Sequence, residues 1–476
     1  MVSTRTPGQP RSRGRLTGRR SAPAAAPAAA APAQPRPARR PGPRRGTRVF
    51  PRQRGDHDHP GPAGSEPLSP ARLAAMRRVH LLGCAVAAIW AAAFPLVSDL
   101  PNQRLWGTVA APAYLLAGLI CLTLPRRLAA RAAAAVAVLG AVLLPLALLA
   151  LHGRHQSEVM VVERSARLLL HTGSPYLPHP VVVTDYNPYL PAMAVFGLPR
   201  TVLGSANPLT LVLGDARIWF ALTFLGCLLA CWRLLRPTRD RGTLLPLAVL
   251  TASPLIALAL VVGGVDLPLI GVCCLAMALA ERDRTLATGL VLALACSLKW
   301  TAWPALPVAV LLIWRLYGRR PATRAALTAV GAALVVVLPV ALTEPAVLRE
   351  QVVRFPLGLT AIHTPAGSPL PGKVLAGFGP TGHTVSLALL TMGGAAVAIW
   401  LLARPPVSAI AAADLLAAGL AIAFTLAPAG RFGYLALPAV LVIWPRLAAR
   451  RWTARQPVPA PCLLSRPTTP VAPVRA

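Results

Sequence analysis

The chain has 476 residues, of which 55% are hydrophobic, 13% charged and 5% aromatic, with a mean hydropathy of +0.58. That balance excludes a soluble globular enzyme, a disordered protein and a disulfide-rich secreted module. Lys and Arg outnumber Asp and Glu by 48 to 15, but they sit in the tails and between apolar runs, so the net charge of +33 reports membrane topology and no nucleic-acid partner is expected.

Residues 1–75 are Pro, Ala, Gly and Arg with almost no branched apolar side chain. Such a segment buries too little surface to offset its ordering entropy and is expected to be a disordered, basic cytoplasmic tail rather than a signal peptide. Its Asp56-His57-Asp58-His59 looks like an Asp-x-Asp metal site, but in this tail it reads as an accidental match. Residues 453–476 form a second Pro-rich tail. Of the eight Cys, seven lie inside apolar runs without metal-site spacing and read as small packing residues.

Between the tails, apolar runs fall near 79–98, 106–124, 130–151, 217–235, 244–262, 267–280, 285–302, 303–317, 325–343, 384–402, 408–426 and 434–447. A hydrocarbon core about 30 Å thick takes roughly 20 helical residues, so the expectation is an all-α polytopic bundle of about 12 transmembrane helices. With both termini cytoplasmic, the short inner turns hold 14 basic residues and the short outer turns only Arg104, Lys299 and Arg431. That asymmetry sets the orientation of a multi-pass cell-membrane protein.

Two long outer segments remain, 152–216 and 344–383, and they hold six of the nine His together with Glu158, Glu163, Asp185, Asp215, Glu344 and Glu350. In the first, Ser157 is expected to cap an interfacial amphipathic helix that runs to about Thr172 and stops at Gly173. A second run, Pro188 to Gly204, is interrupted by Pro191 and Pro199 and is expected to lie at the interface or re-enter. Glu158 falls in the first turn of the amphipathic helix, where the helix dipole favours a carboxylate by about 0.3–1 kcal/mol. It is a candidate general base or sugar-hydroxyl acceptor, or it simply complements the helix start.

The stretch Ser157-Glu158-Val159 through Gly173-Ser174-Pro175-Tyr176 to Tyr186-Asn187-Pro188 resembles glycosyltransferase family 87, the actinobacterial polyprenol-phosphate-mannose-dependent mannosyltransferases of the GT-C superfamily. The resemblance continues through Gly263-Gly264-Val265-Asp266, through Ser297-Leu298-Lys299-Trp300 and through Ala429-Gly430-Arg431-Phe432-Gly433-Tyr434, covering about 130–447. It implies a GT-C-like core at 130–447 with outer juxtamembrane helices, preceded by an added hairpin at 79–124. The family's acidic position is usually Asp, whereas this chain has Glu158.

The implied activity is transfer of a hexose, mannose by the resemblance, from a polyprenyl-phosphate donor to a glycolipid or glycan acceptor at the outer face. Such chemistry needs a carboxylate, for which Glu158 is the first candidate and Asp185 the reserve, although Asp185 also fits a plain turn residue before Asn187-Pro188. It also needs cations for the phosphate. The chain has two Lys, Lys299 and Lys373, against 46 Arg, so an ammonium at the outer edge suggests a local need for a compact charge. Lys299 and Arg431 are the phosphate candidates, with snorkelling and a topology exception as their plain alternatives. Tyr176, Tyr186, Asp266, His363 and Lys373 are candidates for sugar or acceptor binding, and Asp266 fits a helix cap equally. The Gly- and Pro-rich segment around His363 and Lys373 has the composition of a lid. No cofactor is assigned and no metal ligand is named, a divalent metal remaining an option. The competing expectation is a secondary transporter or lipid flippase, for which Asp414 is the clearest acid within a span.

Overall fold

A computed structural model describes residues 70–236, 244–362 and 364–449. Residues 1–69 of the tail read at 1–75, the tail at 453–476, the Asp56–His59 match, the inner-turn Arg239 and Arg241, and His363 therefore lie outside the described residues. Among the described residues the protein is all-helical, with one isolated β-bridge, Gly367 to Gly430.

Helix α1 (Pro70–Val97) starts inside the segment expected to be a tail, and it packs along α2 (Pro101–Thr123) as a hairpin. The next span is α3 (Arg126–Val138), a π-helical turn over Leu139–Leu143, and α4 (Leu144–Leu151). That turn exposes the Ala141 carbonyl, to which the Trp106 indole donates at 2.9 Å.

The first long segment carries α5 (Ser157–Thr172), a 3-10 turn at Val183–Asp185, another at Pro191–Gly197, α6 (Leu198–Leu203) and α7 (Pro208–Gly214). The Pro188–Gly204 run is thus broken into short pieces, as its prolines dictate.

The core continues with α8 (Ala216–Leu235), α9 (Leu244–Thr251) and α10 (Pro254–Val262). The last two are one apolar run bent by 70°. Pro254 opens the second piece, and the freed Ala252 carbonyl accepts the Tyr114 hydroxyl at 2.6 Å, fastening the hairpin to the core. Then come α11 (Leu267–Glu281), α12 (Thr285–Leu298), α13 (Ala305–Tyr317), α14 (Arg319–Thr343) and α15 (Pro345–Leu348). A π-helical turn at Arg349–Arg354 leads to α16 (Pro371–Ala376), α17 (Pro380–Ala403), α18 (Ala409–Leu426) and α19 (Ala436–Ala449).

Among the described residues, eight helices are long and apolar enough to cross a membrane, or nine when α9 and α10 count as one bent span. Each of the twelve expected runs is helical, but α11, α12 and α13 have only 15, 14 and 13 residues. At about 1.5 Å per residue these fall short of a bilayer's hydrocarbon thickness. Helix α11 is the axis of the bundle: α8, α12, α13, α18 and α19 pack around it, and its residues are buried from Leu267 through Cys274 and again from Ala276 through Ala280. A helix sheathed by protein on all sides need not match the lipid. Its length fixes where its first residue, next to Asp266, emerges among the long segments.

Candidate functional site

Four charged side chains from four separate stretches meet at the end of the bundle that carries both long segments. Arg431 Nη1 donates to Glu158 Oε1, and Lys299 Nζ donates to Asp266 Oδ1 at 2.7 Å. The two pairs are joined by aromatic rings. The Lys299 ammonium lies 4.9 Å from the Tyr434 ring centre and 5.7 Å from that of Tyr189, a cation–π arrangement on two sides. Tyr189 is buried, and burial together with the nearby Glu158 and Asp266 carboxylates pushes its phenol pKa well up. All four charged side chains remain partly accessible, from 12% for Lys299 to 29% for Arg431.

Local sequence explains each placement. Glu158 is in the first turn of α5, but the cap is Gln156 rather than the expected Ser157, and no side chain caps the helix. The Ser157 hydroxyl instead donates to Glu158 Oε2 at 3.3 Å. The C-terminal stop is the expected one, Gly173 in the left-handed region at φ 78°. The Gln156 N–H donates to the Val262 carbonyl at 2.8 Å, which ties the start of α5 to the Gly263-Gly264 turn. Gly264 takes φ +71° there, a conformation that delivers Asp266 to the start of α11. Asp266 stands at the cap position without using its carboxylate as a cap, which leaves that group to Lys299.

The Tyr186-Asn187-Pro188-Tyr189 element is braced by Asn187. Its side-chain NH2 donates to Ser165 Oγ at 3.0 Å and to the Pro175 carbonyl at 3.2 Å, while its carbonyl accepts the Tyr189 N–H at 3.1 Å. The Tyr176 hydroxyl donates to the Tyr189 carbonyl at 2.7 Å. The sequence reading passed over Tyr189, although the repeated Pro-Tyr spacing contained it.

Arg431 is fixed from the second long segment. Ser368 N–H donates to the Gly430 carbonyl and Gly430 N–H to the Ala366 carbonyl, each at 3.0 Å, and Phe432 N–H donates to Ser368 Oγ at 3.2 Å. Residues 366–368 are therefore a strap alongside the arginine. Arg431 is held above its ordinary pKa, because Glu158 outweighs the effect of burial.

The other residues named from sequence lie apart from this quartet. Asp185 accepts the Val181 and Val182 N–H groups at 3.0 and 3.1 Å and pairs with Arg164 at 3.3 Å, which is the turn role. The backbone donors come first among the reasons that its pKa is held below the usual range. Tyr176 is 1% exposed in a small apolar cluster, so its face offers no platform to a sugar in this conformation. Tyr186 is also buried, its ring stacked on Phe355 at 4.3 Å. The side chain of Lys373, on α16, makes no hydrogen bond or ion pair among the described residues.

An apolar groove of about 370 Å³ is lined by Leu190, Trp300, Trp303, Pro345, Val352 and Arg349 among others, and Trp300 directly follows Lys299 in the chain. Sequence reading also passed over a buried charged cluster behind α5. Arg217 forms a fork onto Asp215, with Nη2 to Oδ2 at 2.6 Å, and its Nη1 donates to the Val261 carbonyl at 2.5 Å. Glu163 pairs with Arg200 at 3.3 Å and accepts the Ala216 N–H at 3.2 Å, and burial raises its pKa. Among the described residues, no group of three or more His, Cys, Asp or Glu side chains is arranged to hold a metal ion. Compared with known protein families, characterised proteins and solved structures, the chain matches none.

Proposed function

We propose that the protein is a membrane glycosyltransferase of the GT-C type that moves a hexose, mannose by its sequence resemblance, from a polyprenyl-phosphate donor to a glycolipid or glycan acceptor outside the cytoplasm. The observation that carries this reading is the meeting of Glu158, Arg431, Lys299 and Asp266 in one partly open site from four stretches of chain. Arg431 and Lys299 receive the donor phosphate, and the groove lined by Trp300 and Trp303 takes the first isoprene units. In the transfer, an acceptor hydroxyl attacks the anomeric carbon from the face opposite the phosphate and inverts it. The bond from that carbon to the phosphate oxygen breaks, its electron pair leaves on polyprenyl phosphate, and the hydroxyl proton passes to Glu158. Asp266 holds Lys299 in place.

The transport reading has one observation in its favour, the break between α9 and α10. That break has no matched counterpart among the described residues, and its freed carbonyl is taken by Tyr114. Asp414 is paired with Arg446 on a partly exposed face.

The test is transfer from radiolabelled polyprenyl-phosphate mannose by purified protein. Glu158→Gln should lose about 10²- to 10⁴-fold in turnover, with an unchanged thermal melt. Equal turnover would remove Glu158 from the chemistry, and no transfer by the wild type to any glycolipid or glycan acceptor would sink the assignment.

A further inference from the structure

Each cation of the quartet is already matched with an internal carboxylate, so an arriving phosphate finds a site without net charge. Each oxygen of Glu158 already has one partner, Arg431 on one and the Ser157 hydroxyl on the other, so an acceptor hydroxyl has to share an oxygen with a resident donor. The Arg431 donors are only partly used: Nη1 goes to Glu158, whereas Nε and Nη2 bond to no other described group, and the side chain is 29% exposed. An anion can therefore land on the free edge of the guanidinium before it competes for the occupied one. The strap fixes the backbone on both sides of the arginine, at Gly430 and Phe432, so only its side chain is left to follow a departing partner. Glu158 can leave, because it is a side chain on an uncapped first turn with a weak 3.3 Å contact as its second bond.

We propose that Glu158 is a resident counter-anion which the donor phosphate displaces from Arg431, and that this exchange releases Glu158 to receive the acceptor proton. The inference rests on the transferase reading and adds an order to it: donor first, acceptor second. It also gives the two carboxylates different fates. Asp266 stays near Lys299, which two aromatic rings hold in position, whereas Glu158 loses its partner and turns toward the acceptor. Without donor, both oxygens of the proton acceptor are shared with resident donors.

The experiment measures binding rather than turnover. Full-length protein in nanodiscs is titrated with farnesyl phosphate, a short prenyl monophosphate, and separately with inorganic phosphate. Removing the competing anion by Glu158→Gln or by Glu158→Ala should tighten farnesyl phosphate binding about 10-fold, even though both variants lose transfer. Arg431→Gln and Lys299→Gln should each weaken it by about 10-fold or more. A gain with farnesyl phosphate alone identifies the lipid headgroup as the ligand, and a gain with both probes identifies the phosphate group itself; either supports the exchange. If the two Glu158 variants bind no tighter while the cation variants bind more weakly, the exchange is wrong and the phosphate site stands. If the cation variants bind as the wild type does, the phosphate site is wrong and the exchange falls with it.

Discussion

Two clusters of paired charges share helix α5, which supplies Glu163 to one and Glu158 to the other, and they have been built in opposite ways. In the cluster behind α5, Asp215 and Arg217 are each 1% exposed, and every strong donor has a fixed acceptor. Arg200 likewise spends its donors on Glu163 and on the carbonyls of Gly204 and Leu211. In the quartet, by contrast, Arg431 and Lys299 each have one carboxylate, no backbone acceptor, and an opening to the surroundings. The first arrangement spends its hydrogen-bonding capacity on holding backbone in place; the second keeps some in reserve. Unspent capacity at an accessible cation, rather than charge itself, is what separates a binding site from a brace.

The comparison breaks most readily on stability. Arg217→Met leaves the Asp215 carboxylate buried without its partner and should cost about 3–5 kcal/mol. Asp215→Asn combined with Arg217→Met should recover part of that loss, since no charge is then stranded. Arg431→Gln should cost about 1 kcal/mol or less, because its pair is partly open to solvent. Reversible denaturation of the purified protein in detergent compares the three. Equal losses at Arg217 and Arg431 would show that both clusters are structural.

A smaller effect is expected at the strap. Gly372 in α16 has no room for a side chain, since a Cβ there would lie 2.1 Å from the Leu426 carbonyl oxygen and 2.2 Å from its carbon. Both are backbone atoms at the end of α18, so Gly372→Ala must push the two helices apart, at a cost of about 1–3 kcal/mol. The strap that grips Gly430 is only a few residues away in sequence, so hydrogen exchange at Ser368 and Gly430 should quicken. Unchanged exchange there would separate the packing of α16 from the placement of Arg431.

What was legible in the sequence follows the range of the forces involved. Hydrophobic runs and prolines act locally, so the helical segments, the Gly173 stop and the fragmentation of 188–204 could all be read directly. Whether α11 to α13 cross a bilayer could not, because whether a short helix is sheathed by others, as α11 is, depends on tertiary packing. Glu158, Lys299, Arg431 and Asp266 were each visible as exceptions to membrane composition, but which acid meets which cation depends on tertiary geometry. The tyrosines misled for the same reason: Tyr176 and Tyr186 are packed away, while Tyr189 in the same motif faces the ammonium. The Asp215–Arg217 fork was missed because two neighbouring charges at the start of a helix carry no mark of burial.

The least of the expected effects concerns pH and takes the comparison to acids outside the quartet. Asp185 has its folded pKa depressed, first by the Val181 and Val182 N–H groups and then by Arg164. A depressed carboxylate binds fewer protons in the folded state, so its stabilisation is complete above the unfolded value of about 3.9 and disappears as pH falls through the folded value. Its side chain is 21% exposed, which limits the effect to about 1 kcal/mol. Asp185→Asn should therefore melt slightly below wild type at neutral pH, and the gap should close in acid. Glu163 has the opposite sign, because burial raises its pKa; folding is favoured while it is protonated, and that advantage is lost as pH rises through the raised value. The difference between Glu163→Gln and wild type should accordingly move in the mutant's favour with rising pH. Parallel pH profiles for the two variants would mean that burial does not distinguish the two acids, and the contrast between brace and open site would lose its electrostatic basis.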